Sequence, residues 1–273
     1  MKKLNECIKI ATTNIKGGVG KTTTSVTVAG ELASRGFKVL FVDMDPQGNG
    51  SSNLGRRNPE SYSVGDALTG EVDVEDIIVD TEVENLDILP ANLSLLNVAK
   101  YIESDQQRRA DIRLTKALKL IEYKYDFMII DCSPYDNILV TNALVATDYV
   151  IVPIKLDKNS LEGFEYLQDK IRNIKEDSNE SIEILGILPT MYRSSTLHKE
   201  ILDGLRKSAL NNLMFKTTIR SNVKVEEAPF ADLPVTEYKP TSNGSIDYKK
   251  FVDEIIKRLD LDIDNVAEMK EVK

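Results

Sequence analysis

Several things are scarce in this chain of 273 residues, and each scarcity removes a class of function. There is one histidine, His198, and there are two cysteines, Cys7 and Cys132, each set inside an apolar, strand-like run. A single imidazole has no partner histidine for a metal site, and two cysteines placed like core residues suit neither a disulfide framework nor a cluster ligand set. No apolar run approaches the roughly 18 to 20 residues that a membrane helix needs, and the start, MKKLNECIKIATT, lacks the small-residue cleavage site of a secretory leader. A cytosolic location is the expectation. Positive charge is in deficit as well, since 35 Lys and Arg stand against 44 Asp and Glu, a net charge of −9. That balance argues against a basic coat, so any surface for nucleic acid must be a local patch.

Hydrophobic residues make up 41% of the chain, enough to fill the core of one large α/β domain. Short apolar runs alternate with helical patterns, as in parallel βαβ units. The runs at 7–13, 37–43, 86–90, 127–131, 149–154 and 182–189 read as strands. Residues 21–35, 92–103, 108–123, 137–147, 159–176 and 245–260 read as helices. The order predicts a doubly wound, mostly parallel sheet flanked by helices: one domain over 1–260, with a frayed tail over 261–273. Between 71 and 87, eight acids stand without a base and alternate with Val72, Val74, Ile77, Ile78 and Val83, which suits a solvated face on an edge element.

The most informative segment lies between the first strand and the first helix: Asn14-Ile15-Lys16-Gly17-Gly18-Val19-Gly20-Lys21-Thr22-Thr23. A glycine-rich turn in that position aims successive backbone N–H groups and a helix N-terminus at one point, where they can hold the oxygens of a polyphosphate. Residues 16–23 are therefore candidate phosphate ligands, with Lys21 reaching the β- and γ-phosphates and Thr22 binding Mg²⁺. Chance produces K-G-G-x-G-K-T in a chain of this length about once in 10⁵ sequences. Ile15 occupies the position where the ordinary loop has glycine, and Lys16 is an additional lysine.

Two acidic strand ends complete the pattern. Asp43 and Asp45 close the second run in VDMDPQG, and Asp131 closes a later one in IIDCSP. In an open parallel sheet ligands sit at the carboxyl ends of the strands, so these three should meet the loop. Asp131 is placed to hold Mg²⁺ through water, Asp43 to stand behind it, and Asp45 to position or deprotonate the attacking water.

These residues resemble the deviant Walker A ATPases of the ParA/Soj/MinD group, and most of all the short ParA and Soj type. The resemblance runs through NIKGGVGKTTTSVTVAGELASRGFKVLFVDMDPQGNGSSNLG, IIDCSP, VIVPIKLDKNSLEG, PTMY and IRSNVKVEEAPFADLPVTEYKPTSNGSIDY. It implies an ATP- and Mg²⁺-dependent partition ATPase of plasmids or chromosomes. Lys16 would cross an ATP-sandwiched homodimer to the partner's phosphates, Asp45 would be the catalytic aspartate, and Met191 would lie at the adenine. The implied partners are nonspecific double-stranded DNA on the nucleoid and a ParB-type centromere-binding protein that stimulates hydrolysis. Two departures stand out: Ser133 where the family has D-x-P-P, and Arg193 where an acid usually follows T-M-Y. From the short segment before the loop, the helix-turn-helix region of longer ParA proteins is not expected here. Two rivals share the fold. A MinD-like membrane ATPase would end in a basic amphipathic helix, whereas this tail carries more acids than lysines. An ATP-dependent amidoligase-type enzyme would respond to a small molecule rather than to DNA.

A local basic window exists over 190–224, where Arg193, Lys199, Arg206, Lys207, Lys216, Arg220 and Lys224 face only Glu200 and Asp203. Arg220 and Lys224 match the family's DNA-contacting segment, and Arg193 and Lys199 extend the candidate surface.

Overall fold

The computed structural model describes residues 6–158, 161 and 163–261. Its strands are β1 (Ile8–Thr12), β2 (Val39–Met44), β3 (Val79–Asp80), β4 (Leu86–Leu89), β5 (Phe127–Cys132), β6 (Tyr149–Lys155) and β7 (Glu183–Thr190). They form one sheet in the order β3-β4-β2-β5-β1-β6-β7. Every neighbouring pair is parallel except β3 and β4. Each residue of β2 (VLFVDM) and β5 (FMIIDC) is buried, as expected of strands covered on both faces.

The α-helices are α1 (Lys21–Ser34), α2 (Asn49–Asn53), α3 (Val64–Thr69), α4 (Val74–Ile77), α5 (Leu95–Ser104), α6 (Arg113–Lys119), α7 (Ile138–Val145), α8 (Phe164–Asp177), α9 (Thr196–Lys207), α10 (Val223–Glu227), α11 (Val235–Tyr238) and α12 (Asn243–Arg258). Side chains of α3 to α9 fill one hydrophobic cluster, and those of α1, α11 and α12 fill a second with other residues of the same strands. The sheet is therefore doubly wound.

The sequence reading omits helices α2, α3, α4, α9, α10 and α11, and three further features depart from it. Strand β3 is a seventh strand, two exposed residues long, antiparallel at the edge of the sheet and inside the acidic stretch. Its neighbours Val74 and Ile77 are buried on α4, so the apolar half of that stretch belongs to the core. The helix expected over 108–123 begins only at Arg113 and ends at Lys119, followed by a 3₁₀ turn at Glu122–Lys124. The helix expected over 159–176 begins at Phe164, and residues 159, 160 and 162 lie outside the described residues, as does the expected tail from 262 onward.

Strand β1 sits between β5 and β6, with Thr12 beside Asp131 and Asp131 in turn beside Asp43. The loops that leave β1, β2 and β5 thus open onto the same edge of the sheet, at the point where the strand order reverses.

Candidate nucleotide-binding site

The glycine loop connects β1 to α1, and its geometry follows from its composition. Gly18 and Gly20 hold left-handed backbone angles, φ 68° and 85°, which residues with a Cβ rarely adopt. Gly20 caps α1 without any side-chain hydrogen bond. As a result, none of the backbone N–H groups of residues 17–23 donates to an acceptor among the described residues. A Cβ built on Gly17 or Gly18 would meet nothing within 4 Å, so the loop is unobstructed at both positions. Seven free donors around a helix N-terminus form an anion cradle.

Lys21 lies at the foot of the cradle, buried, with Nζ donating to the Lys16 carbonyl at 3.0 Å. Burial lowers its pKa, and the nearby Asp131 carboxylate opposes that shift. Asp131 is fully buried. Its Oδ1 accepts from the Ser25 hydroxyl at 2.8 Å, while Oδ2 has no hydrogen-bond partner among the described residues. Burial and then the neighbouring Asp43 raise its pKa, opposed by the Thr22 and Ser25 hydroxyls. An orphaned buried carboxylate oxygen beside a threonine hydroxyl suits a hard divalent cation held through oxygen ligands. The residues present fit Mg²⁺.

Asp43 and Asp45 diverge. Asp43 spends its carboxylate within its own turn, accepting the Ser51 N–H and hydroxyl at 2.7 Å each on Oδ2, and the Asp45 N–H at 3.1 Å on Oδ1. Burial still raises its pKa. Asp43 thus organises the turn, with three of its about four acceptor sites engaged. Asp45 is 6% exposed, and Oδ1 accepts the Gln47 N–H at 2.9 Å. Its other oxygen has no partner among the described residues, which leaves a proton acceptor at the edge of the site.

The two unusual loop residues meet the segment after β6. Lys16 Nζ lies 2.9 Å from both carboxylate oxygens of Asp157. In the single chain, then, the lysine expected to point out of its subunit is paired at home. Ile15 packs on Gly163, where a Cβ would come within 2.2 Å of the isoleucine Cδ1. The bulk of Ile15 is accommodated by that distant glycine.

Met191 follows β7 with φ 51° and lies beside the loop, its Cε 4.0 Å from the Cβ position of Gly20. Ser133 is buried with its hydroxyl unpartnered among the described residues. Cys132 is buried and Cys7 largely so, and burial pushes both thiols up, Cys7 to about 12, as fits packing residues rather than ligands.

The candidate DNA residues are not equivalent. Arg220 pairs with Asp247 through Nε at 2.8 Å and Nη2 at 2.7 Å, and Lys224 pairs with Glu227 at 2.6 Å. Arg193 and Lys199 are exposed and have no ionic partner among the described residues. The sequence window overstated the patch, because Asp247 and Glu227 enter it from outside the counted span.

A parallel sheet with a glycine loop after β1, a buried lysine, a threonine and a strand-end aspartate defines a P-loop nucleotide-binding protein. Residues 7–184 match a family model described as an AAA domain. Over 248 residues the chain is 39% identical to the sporulation initiation inhibitor protein Soj of Bacillus subtilis, covering 90% of this chain and 97% of that protein. It is 38% identical to the chromosome partitioning protein ParA of Caulobacter vibrioides, covering 91% and 94%. Among solved structures, a cobyrinic acid a,c-diamide synthase from Mycobacterium smegmatis with bound ATP analog and magnesium is 28% identical, with a TM-score of 0.80 over 93% of this chain and 96% of that one. The chain belongs to the Soj/ParA family of P-loop ATPases.

Proposed function

We propose that this protein is the ATP-driven switch of a DNA partition system, in which the ATP-bound form is a dimer that holds DNA without regard to sequence. The observation that carries the nucleotide half of this reading is the run of free N–H groups over residues 17–23, closed below by Lys21. ATP phosphates would lie in that cradle, the adenine near Met191. Mg²⁺ would be held by the Thr22 hydroxyl and, through water, by Asp131, where it would neutralise charge on the phosphates. Asp45 would take a proton from the attacking water or fix its direction toward the γ-phosphate. Lys16 would leave Asp157 for the phosphates of the partner protomer. The reading of partition, with DNA on the nucleoid and a ParB-type protein as partners, draws on the Soj and ParA relatives and on the basic residues near Arg220.

A second reading has one observation in its favour: the diamide synthase with the same fold at 28% identity. The deciding experiment is ATP hydrolysis with DNA alone, a cognate DNA-binding partner alone, and both. The partition reading expects the combination to exceed the sum of the separate effects. Hydrolysis indifferent to DNA but driven by a carboxylic acid substrate with an amide donor would establish an amide-forming enzyme instead.

A further inference from the structure

The residue that joins the phosphate loop to the rest of this edge is Thr190, the last residue of β7. It is 2% exposed, and its hydroxyl lies 2.8 Å from the Val19 carbonyl and 3.0 Å from the Ile154 carbonyl. Both neighbours are acceptors, so the single hydroxyl proton is shared between the loop and the end of β6. Val19 matters because of peptide planarity. Its carbonyl and the Gly20 N–H belong to one rigid unit, so turning that N–H toward a phosphate also turns the carbonyl held by Thr190.

Beyond Thr190 the chain leads directly to the basic segment. Met191 holds a left-handed angle that non-glycine residues rarely keep, and Tyr192 then bridges Arg220. Three backbone hydrogen bonds fix this junction: Ile219 N to the Pro189 carbonyl at 2.8 Å, Tyr192 N to the Ile219 carbonyl at 2.9 Å, and Ser221 N to the Tyr192 carbonyl at 2.9 Å. The guanidinium of Arg220 is held in turn by Asp247 on α12. The Thr190 hydroxyl thus joins Val19, 171 positions away, to a strand end that reaches Arg220 two residues further on.

We propose that Thr190 is a positioning residue that couples the phosphate loop to the Arg220 segment, so that nucleotide in the loop and DNA at Arg220 bias one another. The inference rests on the DNA-binding reading above. It differs from avidity in a dimer, because it places the coupling within each protomer, at a named hydroxyl. Binding linkage is reciprocal: if nucleotide strengthens DNA binding, DNA must tighten nucleotide by the same factor.

The test measures affinity for a non-hydrolysable ATP analogue with Mg²⁺, with and without duplex DNA of arbitrary sequence. Wild type is expected to bind the analogue about tenfold tighter with DNA, within the usual range of allosteric coupling. Thr190→Val keeps the shape and removes the hydroxyl, and the DNA effect should fall well below the wild-type factor, to the part that dimerisation alone supplies, while sedimentation still shows the analogue-dependent dimer. Thr190→Ser restores the hydroxyl and should restore the coupling. If Thr190→Val does not fold, the difference between Thr190→Ala and Thr190→Ser gives the same comparison. A Thr190→Val protein with the wild-type factor overturns the assignment to Thr190 and leaves DNA binding standing. A wild type whose nucleotide affinity ignores DNA, and which holds no DNA with the analogue bound, overturns the DNA-binding reading itself and the inference with it.

Discussion

Two aspartates leave β2 two residues apart and end in different situations. Asp43 is enclosed and accepts three hydrogen bonds from its own turn, whereas Asp45 satisfies one oxygen on Gln47 and leaves the other without a protein partner. The sequence reading gives Asp45 the attacking water and Asp43 the place behind the cation, and Ser51, eight residues away, distinguishes their surroundings by donating its N–H and hydroxyl to Asp43. Asp45→Ala is accordingly expected to bind ATP normally and to lose about 10²- to 10⁴-fold in hydrolysis, the usual contribution of a positioned acid or base. Nucleotide titration beside single-turnover hydrolysis checks this. A variant that hydrolyses at the wild-type rate would remove Asp45 from the reaction.

At the scale of elements, helix α6 shows where local sequence runs out. Its N-cap residue, Ile112, offers no side-chain acceptor, and the apolar pattern upstream extends the expected helix to 108. The actual start is set by Asn142 on α7, fully buried, whose Oδ1 accepts the Arg113 and Leu114 N–H groups at 2.9 and 3.1 Å. Its amide donates back to the Ala110 and Ile138 carbonyls at 2.8 and 2.9 Å. A cap supplied from 28 residues away leaves no mark in the sequence around the helix it caps. Strand β3 escapes for the opposite reason, being two residues long and exposed, too short for any periodicity. The loop and the buried strands were legible because each rests on its own residues: Gly18 and Gly20 for the turn, VLFVDM and FMIIDC for strands covered on both faces. Asn142→Ala should destabilise the protein by about 2 to 4 kcal/mol, since several buried groups lose partners together. Urea unfolding measures it, and a loss below about 0.5 kcal/mol would show that α6 does not depend on this cap.

For the whole molecule the issue is how a chain of net charge −9 with a nucleotide cradle would act as the proposed switch on DNA. The home pair of Lys16 with Asp157 is about one-third exposed on each side, and such pairs contribute about 0.2 to 1 kcal/mol. Exchanging Asp157 for a partner's phosphate is therefore energetically easy. Lys16→Ala should bind ATP and sediment as a monomer, and an unchanged ATP-dependent dimer would remove Lys16 from the interface. DNA binding is a harder case, because Arg220 and Lys224 are each held by a carboxylate of the same chain. The patch on one protomer is small, and two side by side in a dimer would multiply the phosphate contacts, so binding should require ATP and weaken steeply with salt. Arg220→Glu would set a new carboxylate against the buried Asp247 and confound loss of DNA contact with loss of fold. The cleaner variants are Arg220→Ala, which removes the guanidinium, and Asp247→Asn, which keeps Arg220 and removes its neutralising charge. Arg220→Ala is expected to lose about tenfold or more in DNA affinity at fixed salt with ATP present, and a smaller salt slope should accompany the loss. Asp247→Asn should bind DNA at least as well as wild type. If Arg220→Ala holds DNA with unchanged affinity and slope while still forming the ATP dimer, the DNA-binding surface lies elsewhere on the molecule.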